Sequence, residues 1–410
     1  MASSAASLYD RTCGRADRDV RTSDAVVTTT LVCTHFRRLH VTDPVAVRAA
    51  VEAVIDPELR AAIGSLGMVD SVEEIDAGEN AGAVVIRLAL PLGGHPMETE
   101  LLSRIRDAAE SAGVSNSSVE MRAMTEDERE ALGARMRGQA AGEREVTLAK
   151  PGSRTRVIGI ASGKGGVGKS SVTVNLALAL TDKGYSVGIM DADVWGFSIP
   201  KMMGIDRAPS VLQEMLIPPV AHGVAAISMD FFVDPEQAVV WRGPMLHKAL
   251  EQFLVDVYWG DIDFLLIDMP PGTGDVSISI SQYLPRSEII VVTTPQPAAQ
   301  RVAVKAGLMA AKVNQEVVGV VENMSWFTAD DGKRYDLFGS GGGEQLASDL
   351  DVPLLGQIPL VPELREGGDI GQPIVIADPD SEATKAFAAI ADELVARKPR
   401  LRSHPDLVIS

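Results

Sequence analysis

The stretch Ser162-Gly163-Lys164-Gly165-Gly166-Val167-Gly168-Lys169-Ser170 decides the fold of this chain. It fits the pattern G-x-x-x-x-G-K-[ST], in which a glycine-rich loop binds phosphate groups. A short apolar run at 157–161 precedes the loop, and apolar residues at helical spacing follow it from Val172 to Leu180. Strand, glycine loop and helix in this order form the context that the motif requires, so we predict a phosphate-binding loop rather than a glycine-rich turn that binds nothing.

The loop supplies both the backbone groups and the side chains that a nucleotide needs. Glycines let the chain wrap closely around an anion, and the N–H groups of the loop and of the helix N-terminus then point at the phosphates. We expect Lys169 to reach the β- and γ-phosphates and Ser170 to hold Mg²⁺. The predicted nucleotide-binding residues are Gly163, Lys164, Gly165, Gly166, Val167, Gly168, Lys169, Ser170, Ser171 and Asn323.

Two of these residues, Lys164 and Asn323, are assigned further roles. Lys164 follows the first glycine and is too near the start of the loop to duplicate Lys169. We expect it to reach across a dimer interface and stabilise charge on the partner's phosphates, as arginine fingers do, the alternative being a solvated surface lysine. Asn323 closes a later strand, where its amide either reads an adenine edge or serves as a turn residue.

Carboxylates follow two further apolar strands. The predicted strand 186–191 ends in Asp191, and Asp193 follows two residues later. The apolar run 264–267 is followed by Asp268, and this apolar run with its terminal acid is the Walker B pattern. Side chains at the carboxyl ends of parallel strands lie in the crevice where ligands bind. We expect one acid of the first pair to orient the attacking water and the other to approach Mg²⁺. The predicted catalytic residues are Lys164, Lys169 and Asp193, and the predicted Mg²⁺ ligands are Ser170, Asp191 and Asp268.

The order of apolar runs predicts an α/β fold, a P-loop NTPase parallel sheet with helices on both faces, preceded by a small α+β domain. The predicted strands of the large sheet are 157–161, 186–191, 224–229, 262–267, 288–293, 316–321 and 354–358. We divide the chain into a disordered leader (1–40), a small α+β domain (41–126), a helical or flexible linker (127–153), a P-loop ATPase domain (154–400) and a tail (401–410).

Charge and cysteine content exclude several classes of protein. A net charge of −18 argues against general nucleic-acid binding, because phosphate backbones attract basic surfaces. No apolar run reaches the ~18–20 residues that span a bilayer, so we predict no membrane partner. The two cysteines, Cys13 and Cys33, both lie in the leader and form no disulfide framework, which favours a cytoplasmic protein.

Several stretches beyond the P-loop resemble the Mrp/ApbC family of P-loop ATPases, the iron–sulfur cluster carriers. Residues 41–126 resemble the small cluster-assembly domain (SufT/PaaD-like) that often precedes that ATPase, through 56–59, 66–69 and 94–97. In the ATPase part the resemblance rests on Val240-Trp241-Arg242-Gly243-Pro244-Met245, 267–275, Glu322-Asn323-Met324-Ser325, Phe338-Gly339 with 341–343, and 367–373.

The resemblance implies a homodimer that hydrolyses ATP slowly and carries a [4Fe–4S] cluster to apo iron–sulfur proteins. Hydrolysis would proceed by electrostatic positioning. Lys169 and Lys164 would stabilise phosphate charge, Ser170 and Asp268 would hold Mg²⁺, and Asp193 would orient the water.

The cluster site departs from the family pattern. In the family a C-x-x-C pair follows the Asn-Met-Ser stretch, whereas this chain has no cysteine from Trp326 to Lys333, and His95 stands where the small domain usually has cysteine. Thiolates are the preferred ligands of iron–sulfur clusters, and Asp330 and Asp331 are poor replacements. No cluster ligand is therefore visible, and the role of His95, ligand or structural, stays open.

Two functions remain as the main candidates. The leading one is a Mg²⁺-dependent ATPase that transfers iron–sulfur clusters, and the alternative is an ATP-switched partner-binding module of the same family that has lost the cluster site. A partition or septum-type positioning ATPase would need a basic surface or a membrane-targeting helix. An electron-donating reductase would need cysteines that this chain lacks.

Overall fold

The computed structural model describes residues 44–75, 83–91, 95–137, 146–150, 152–193, 196, 198–233, 243–272 and 274–397, all within one compact unit, Thr42–Ser410. The leader 1–40 with Cys13 and Cys33, the tail 401–410 and part of the predicted linker lie outside these residues. So do five residues of the motifs quoted above: Gly94, Val240, Trp241, Arg242 and Thr273. No helix of the described residues combines the length and the apolar composition that crossing a bilayer requires.

Residues 44–137, here the small unit, form a three-stranded sheet with helices. Strand β1 pairs antiparallel with β2, and β2 pairs parallel with β3. Leu101, Ile105 and Ala109 recur every four residues, so α3 buries one continuous face. The elements are α1 (Pro44–Glu52), α2 (Ile63–Leu66), β1 (Val69–Glu74), β2 (Val84–Leu90), α3 (Glu98–Ser111), β3 (Ser117–Ala123) and α4 (Glu126–Arg137).

The core of the small unit recruits residues that are distant in sequence. Leu132 of α4 is fully buried in it, although α4 lies in the segment predicted as a linker. Leu212, Met215 and Ile217, from the P-loop part of the chain, are buried in the same cluster. The small unit and the P-loop part therefore share one hydrophobic core.

The remaining elements form the large sheet, its covering helices and two small two-stranded sheets, β6-β7 and β13-β14. They are β4 (Arg156–Ser162), α5 (Lys169–Asp182), β5 (Val187–Asp191), α6 (Ile199–Met202), β6 (Ser210–Leu212), β7 (Met215–Ile217), β8 (Val220–Ala221), β9 (Val224–Ser228), α7 (Gly243–Val255), β10 (Phe264–Asp268), α8 (Asp275–Tyr283), β11 (Glu288–Thr293), α9 (Pro297–Lys312), β12 (Glu316–Glu322), β13 (Phe327–Thr328), β14 (Arg334–Tyr335), α10 (Gly342–Leu350), β15 (Leu354–Gln357), α11 (Pro362–Ile370), α12 (Ile374–Ala377) and α13 (Glu382–Ala396).

Within the described residues the large sheet has eight strands in the order β15-β12-β11-β4-β10-β5-β9-β8. Its neighbouring strands are parallel except for β8, which pairs antiparallel with β9 at the edge. One hydrophobic cluster covers the face packed by α5 and α13, and a second covers the opposite face, packed by α7, α8 and α9. Strands buried on both faces read as continuous apolar runs. The predicted fold class is confirmed, and the seven predicted strands all lie in this sheet.

Helix α5 shows how packing extends a local pattern. The spacing of Val172, Leu176 and Leu180 predicts one apolar face, but every residue from Val172 to Leu180 is buried. The reason is that α5 lies between the sheet and α13, which also packs against it. The short strands β6, β7 and β8 were not predicted, because runs of two or three residues carry too little periodicity to detect.

Candidate functional site

The P-loop connects β4 to α5, and two of its glycines are required by backbone conformation. Gly166 and Gly168 both have φ near +80°, in the region that side chains with a Cβ rarely adopt. Gly163 is required for a different reason, because a Cβ there would lie 2.3 Å from backbone atoms of Val302 and Ala303 in α9. A Cβ on Gly165 would meet nothing nearer than Pro271 at 4.0 Å.

The side chain of Asn323 holds the P-loop through hydrogen bonds. Its Nδ2 donates to the carbonyl oxygen of Val167 at 2.9 Å, and its Oδ1 accepts from the backbone N–H of Met324 at 3.0 Å. A Cβ on Gly168 would lie 2.2 Å from that Nδ2. The structure thus gives Asn323 a role in shaping the loop that the sequence did not reveal, while its contact with an adenine stays a prediction.

The side chain of Lys169 lies in a buried acidic setting. Its Nζ is 2.7 Å from Asp268 Oδ1 and 3.4 Å from Asp193 Oδ2, and the lysine is only 7% exposed. The ammonium has no hydrogen-bond acceptor in the proper direction, so the contact with Asp268 is a charge pair. A buried ammonium group with unused donors next to a phosphate-binding loop fits the requirement of a phosphate ligand.

Asp268 also organises the start of α5. Its Oδ2 accepts from Ser170 Oγ at 2.6 Å, and its Oδ1 accepts from Thr173 Oγ1 at 2.9 Å. Thr173 was not singled out from the sequence. Its signal was its position one helical turn after Lys169, whose carbonyl oxygen also accepts from the threonine hydroxyl.

Asp191 lies beside Asp268 because their strands are in register. The Cα partners of the β5–β10 pair include Asp191 and Asp268. Asp191 is fully buried, with Oδ1 accepting from the N–H of Asp193 and Oδ2 from the hydroxyl of Ser228. Burial, with the nearby charge of Asp268, raises the pKa of Asp191 to about 7. The predicted acids Asp191, Asp193 and Asp268 are thus brought together with Lys169.

The donor set fits Mg²⁺ held jointly with phosphate oxygens. Among the described residues no group of three or more His, Cys, Asp or Glu side chains forms a complete metal cage. Mg²⁺ usually takes only one or two protein carboxylates and completes its shell with water and phosphates. Ser170 Oγ and Asp268 Oδ2, already 2.6 Å apart, are the pair placed to hold it.

Lys164 points into its own chain in this structure. Its Nζ donates to Gln296 Oε1 at 3.1 Å. Gln296 precedes α9 and lies between Pro295 and Pro297, which fix the backbone on either side. The predicted reach of Lys164 across a dimer interface is not tested by this geometry and stays a prediction.

A cavity of about 320 Å³ opens beside the P-loop helix. Its lining includes Gly168, Ser171 and Asn323, the charged residues Lys201, Arg365 and Asp369, and the apolar residues Met324, Leu360, Val361 and Leu364. The cavity therefore lies directly next to the phosphate loop and has a mixed polar and apolar lining.

The segment that replaces the C-x-x-C pair forms a small hairpin of β13 and β14. Trp326 Nε1 and Thr328 Oγ1 both donate to Glu382 at the start of α13, and the guanidinium of Arg334 lies over the Trp326 ring, 4.4 Å from its centroid. At the turn, Asp331 accepts from the backbone N–H of Lys333 at 3.0 Å. None of the described residues is a cysteine, so they offer no thiolate ligand here.

His95 is buried in a hydrogen-bonded pair with Asp56. Its Nε2 lies 3.0 Å from Asp56 Oδ2, and its Nδ1 accepts from the N–H of Met97. Burial lowers the pKa of His95, but the hydrogen bond to Asp56 and the charges of Asp56 and Glu58 outweigh it, so the pKa is raised. Both ring nitrogens are occupied, which assigns His95 a structural role in this conformation.

Comparison with known proteins adds a family and several relatives. Residues 153–395 match the family described as "ParA: NUBPL iron-transfer P-loop NTPase". The iron–sulfur cluster carrier protein of Mycobacterium bovis is 49% identical over 360 residues, covering 86% of this chain and 93% of that protein. The iron–sulfur cluster transfer protein NUBPL of Mus musculus is 46% identical over 254 residues, covering 61% and 79%. A nucleotide-binding protein from Archaeoglobus fulgidus, solved in complex with ADP, is 33% identical with a TM-score of 0.50 and covers 57% of this chain and 93% of its own.

The geometry of Gly168 makes a sharp test of the nucleotide site. Gly168→Ala combines a left-handed backbone with a contact 2.2 Å from Asn323, so we expect ATP affinity to fall about tenfold or more. Gly184→Ala is the matched control, because it places a Cβ on a similarly left-handed backbone, φ +87°, outside the loop and with nothing within 4 Å. Equilibrium titration with a non-hydrolysable ATP analogue measures both. Equal affinity in the two variants would contradict the assignment.

Asp191 makes the stability of the nucleotide-free and Mg²⁺-free protein depend on pH. Its pKa is about 7 in the folded chain, and it is ~3.9 for an unfolded aspartate. Between these values the folded chain binds the extra proton, so the free energy of unfolding falls as pH rises from ~4 to ~7 and stays level above. Asp191→Asn should remove this fall, so its free energy of unfolding minus that of the unaltered protein should rise from about pH 5 to about pH 8. Denaturant unfolding measures this difference, with the exposed Asp182→Asn as control, and a difference that does not change with pH would refute the prediction.

Proposed function

The chain belongs to the Mrp/ApbC/NUBPL family of P-loop NTPases, and from that membership we propose that it is a Mg²⁺-dependent ATPase that binds iron–sulfur clusters and transfers them to apoproteins. The observation that carries the ATPase part is the buried arrangement of Lys169 and Ser170 around Asp268. Relatives of nearly full length bear the name of iron–sulfur cluster carrier, which supports the cargo.

Hydrolysis on these residues is a matter of positioning charge. Lys169 neutralises the β- and γ-phosphates from a buried site, where an ammonium group acts more strongly than in water. Asp193, 3.4 Å from that ammonium, orients the attacking water. Mg²⁺, when held by Ser170 and Asp268, supplies positive charge that draws electrons from the reacting phosphate. The cavity beside Asn323 takes the base.

A homodimer is part of the proposal. Lys164 lies in the loop that binds phosphates, and in the single chain its Nζ donates to the side-chain amide of Gln296. In a dimer it would exchange this amide for the phosphates of the partner subunit, which provides stronger, charge-assisted hydrogen bonds. We further propose the division into a small domain (41–126), a linker (127–153) and an ATPase domain (154–400), together with a cytoplasmic location.

The leading proposal and its alternative differ in whether the chain binds an iron–sulfur cluster. The hairpin of β13 and β14 is fixed by Trp326, Arg334 and Glu382, and it carries carboxylates where the family carries thiolates. This observation favours the second candidate, an ATP-switched module that recruits a protein partner and carries no cluster. Under the leading proposal, the cluster ligands come from outside the described residues or from the client apoprotein.

Replacing Asp193 tests the mechanism of hydrolysis. We expect Asp193→Asn to lower kcat about 10²-fold while ATP affinity changes little, because the carboxylate acts on the water rather than on the bound nucleotide. Lys169→Ala should lose both binding and turnover, and the exposed Asp182→Asn should lose neither. Steady-state phosphate release and analogue titration measure these effects. Normal turnover in Asp193→Asn would remove it from the site.

Anaerobic reconstitution with iron and sulfide tests the cargo. The carrier proposal predicts about four irons per dimer and a charge-transfer band in the visible spectrum. The double variant Cys13→Ser/Cys33→Ser is the matched control, since these are the only two cysteines in the sequence. Loss of the band in this variant would assign the ligands to the leader. An iron-free, colourless protein that still binds ATP would support the partner-recruiting module instead.

A further inference from the structure

Residues 198–219, here the Asp191 excursion, lie in the connection from β5 to β8 and begin at the carboxylate of Asp191. The N–H groups of Ser198 and Ile199 donate to Asp191 Oδ2 at 3.3 and 3.4 Å. The hydroxyl of Ser228, which β9 holds in register with Asp191, donates to the same oxygen at 3.0 Å. The position of this buried carboxylate therefore depends on the start of the excursion as well as on β9.

The middle of the excursion is embedded in the small unit. Leu212, Met215 and Ile217 are buried in the core formed by α1, α3 and the small sheet. Gln213 Nε2 donates to Glu126 Oε1 of α4 at 3.0 Å. The segment that begins at Asp191 thus has its centre anchored in the core of the small unit.

An ion pair between a buried glutamate and a partly exposed arginine joins the small unit to the excursion, between its anchored centre and Asp191. Arg207 Nη1 donates to Glu58 Oε1 at 2.8 Å, and Glu58 is almost fully buried. The backbone of Glu58 is held in turn, because its N–H and that of Leu59 donate to Asp56 Oδ1 at 2.9 and 2.7 Å. A buried carboxylate with a single arginine partner resists displacement, since separation would leave a charge without compensation.

The same loop of the small unit also holds the strand that carries Asp191. Arg60 donates to the carbonyl oxygen of Val187, the first residue of β5, at 3.2 Å and also to the hydroxyl of Ser186. Strand β5 ends at Asp191. The small unit therefore contacts β5 directly at its beginning and, through the excursion, at its end.

We propose that the small unit is a positioning element of the nucleotide site, acting through Glu58 and Arg207 on the placement of Asp191. Shifting the excursion moves two donors of one carboxylate, which lies in register with Asp268, the proposed Mg²⁺ ligand. Coupling between two sites is reciprocal, so a nucleotide bound at the P-loop changes the docking of the small unit as well. The inference rests on nucleotide binding by this P-loop and not on cluster transfer.

Enzyme kinetics of Glu58→Gln test the positioning role. This variant keeps an acceptor for Arg207 but removes the charge, and we expect kcat to fall about tenfold with KM for ATP nearly unchanged. Arg207→Lys should recover part of the rate that Arg207→Gln loses, because it restores the charge. The control is Glu128→Gln, which breaks an exposed pair with Arg122 inside the small unit and leaves the excursion untouched. Wild-type kcat in both Glu58→Gln and Arg207→Gln would overturn the proposal.

Hydrogen exchange on the unaltered full chain tests the reciprocal effect and does not depend on any variant folding. Binding of a non-hydrolysable ATP analogue with Mg²⁺ should slow exchange of the Glu58 and Leu59 amides severalfold, and Lys169→Ala should abolish the change. Nucleotide binding with unchanged exchange at these amides would overturn this inference alone. No nucleotide binding at all would overturn the proposed ATPase function and this inference together.

Discussion

The buried charge pair between Lys169 and Asp268 is the constraint on which the nucleotide site depends. An ammonium and a carboxylate are stable together in an apolar interior only when each has further polar partners. Asp268 has them in Ser170 and Thr173, and the lysine has Asp193 3.4 Å away, so the strand that carries Asp268 and the helix that carries the lysine must meet at one place. Burial, together with repulsion from this carboxylate, raises the pKa of Asp191 to about 7.

The phosphate loop is held open by packing rather than by its own sequence alone. Position 168 requires glycine because the side chain of Asn323 lies against its backbone. Position 163 requires glycine because α9 packs directly against it. These contacts fix the backbone path of the loop. A preorganised set of donors needs no rearrangement when charge develops, which is how a site of this kind accelerates phosphoryl transfer.

The chain combines an intact nucleotide site with an unusual cargo region and a small unit packed into the P-loop part. Glu382 and Arg334 hold the cysteine-free hairpin of β13 and β14, while Glu58 and Arg207 join the small unit to the excursion that begins at Asp191. Nucleotide state and small-unit docking are thus linked by a continuous chain of hydrogen bonds and buried side chains. A client protein that touches the small unit would act on ATP hydrolysis without reaching the P-loop.

The sequence alone determined the fold class, the P-loop and the acids at the strand ends. These depend on local patterns: a glycine loop between strand and helix, apolar runs of strand length, and carboxylates at the end of parallel strands, which always share one edge of a sheet. Only the tertiary structure decided that Asn323 supports Val167, that burial raises the pKa of Asp191, and that Arg207 meets Glu58. Each of these joins residues far apart in the chain or depends on burial, and neither distance in space nor exclusion of water is written in a local sequence pattern.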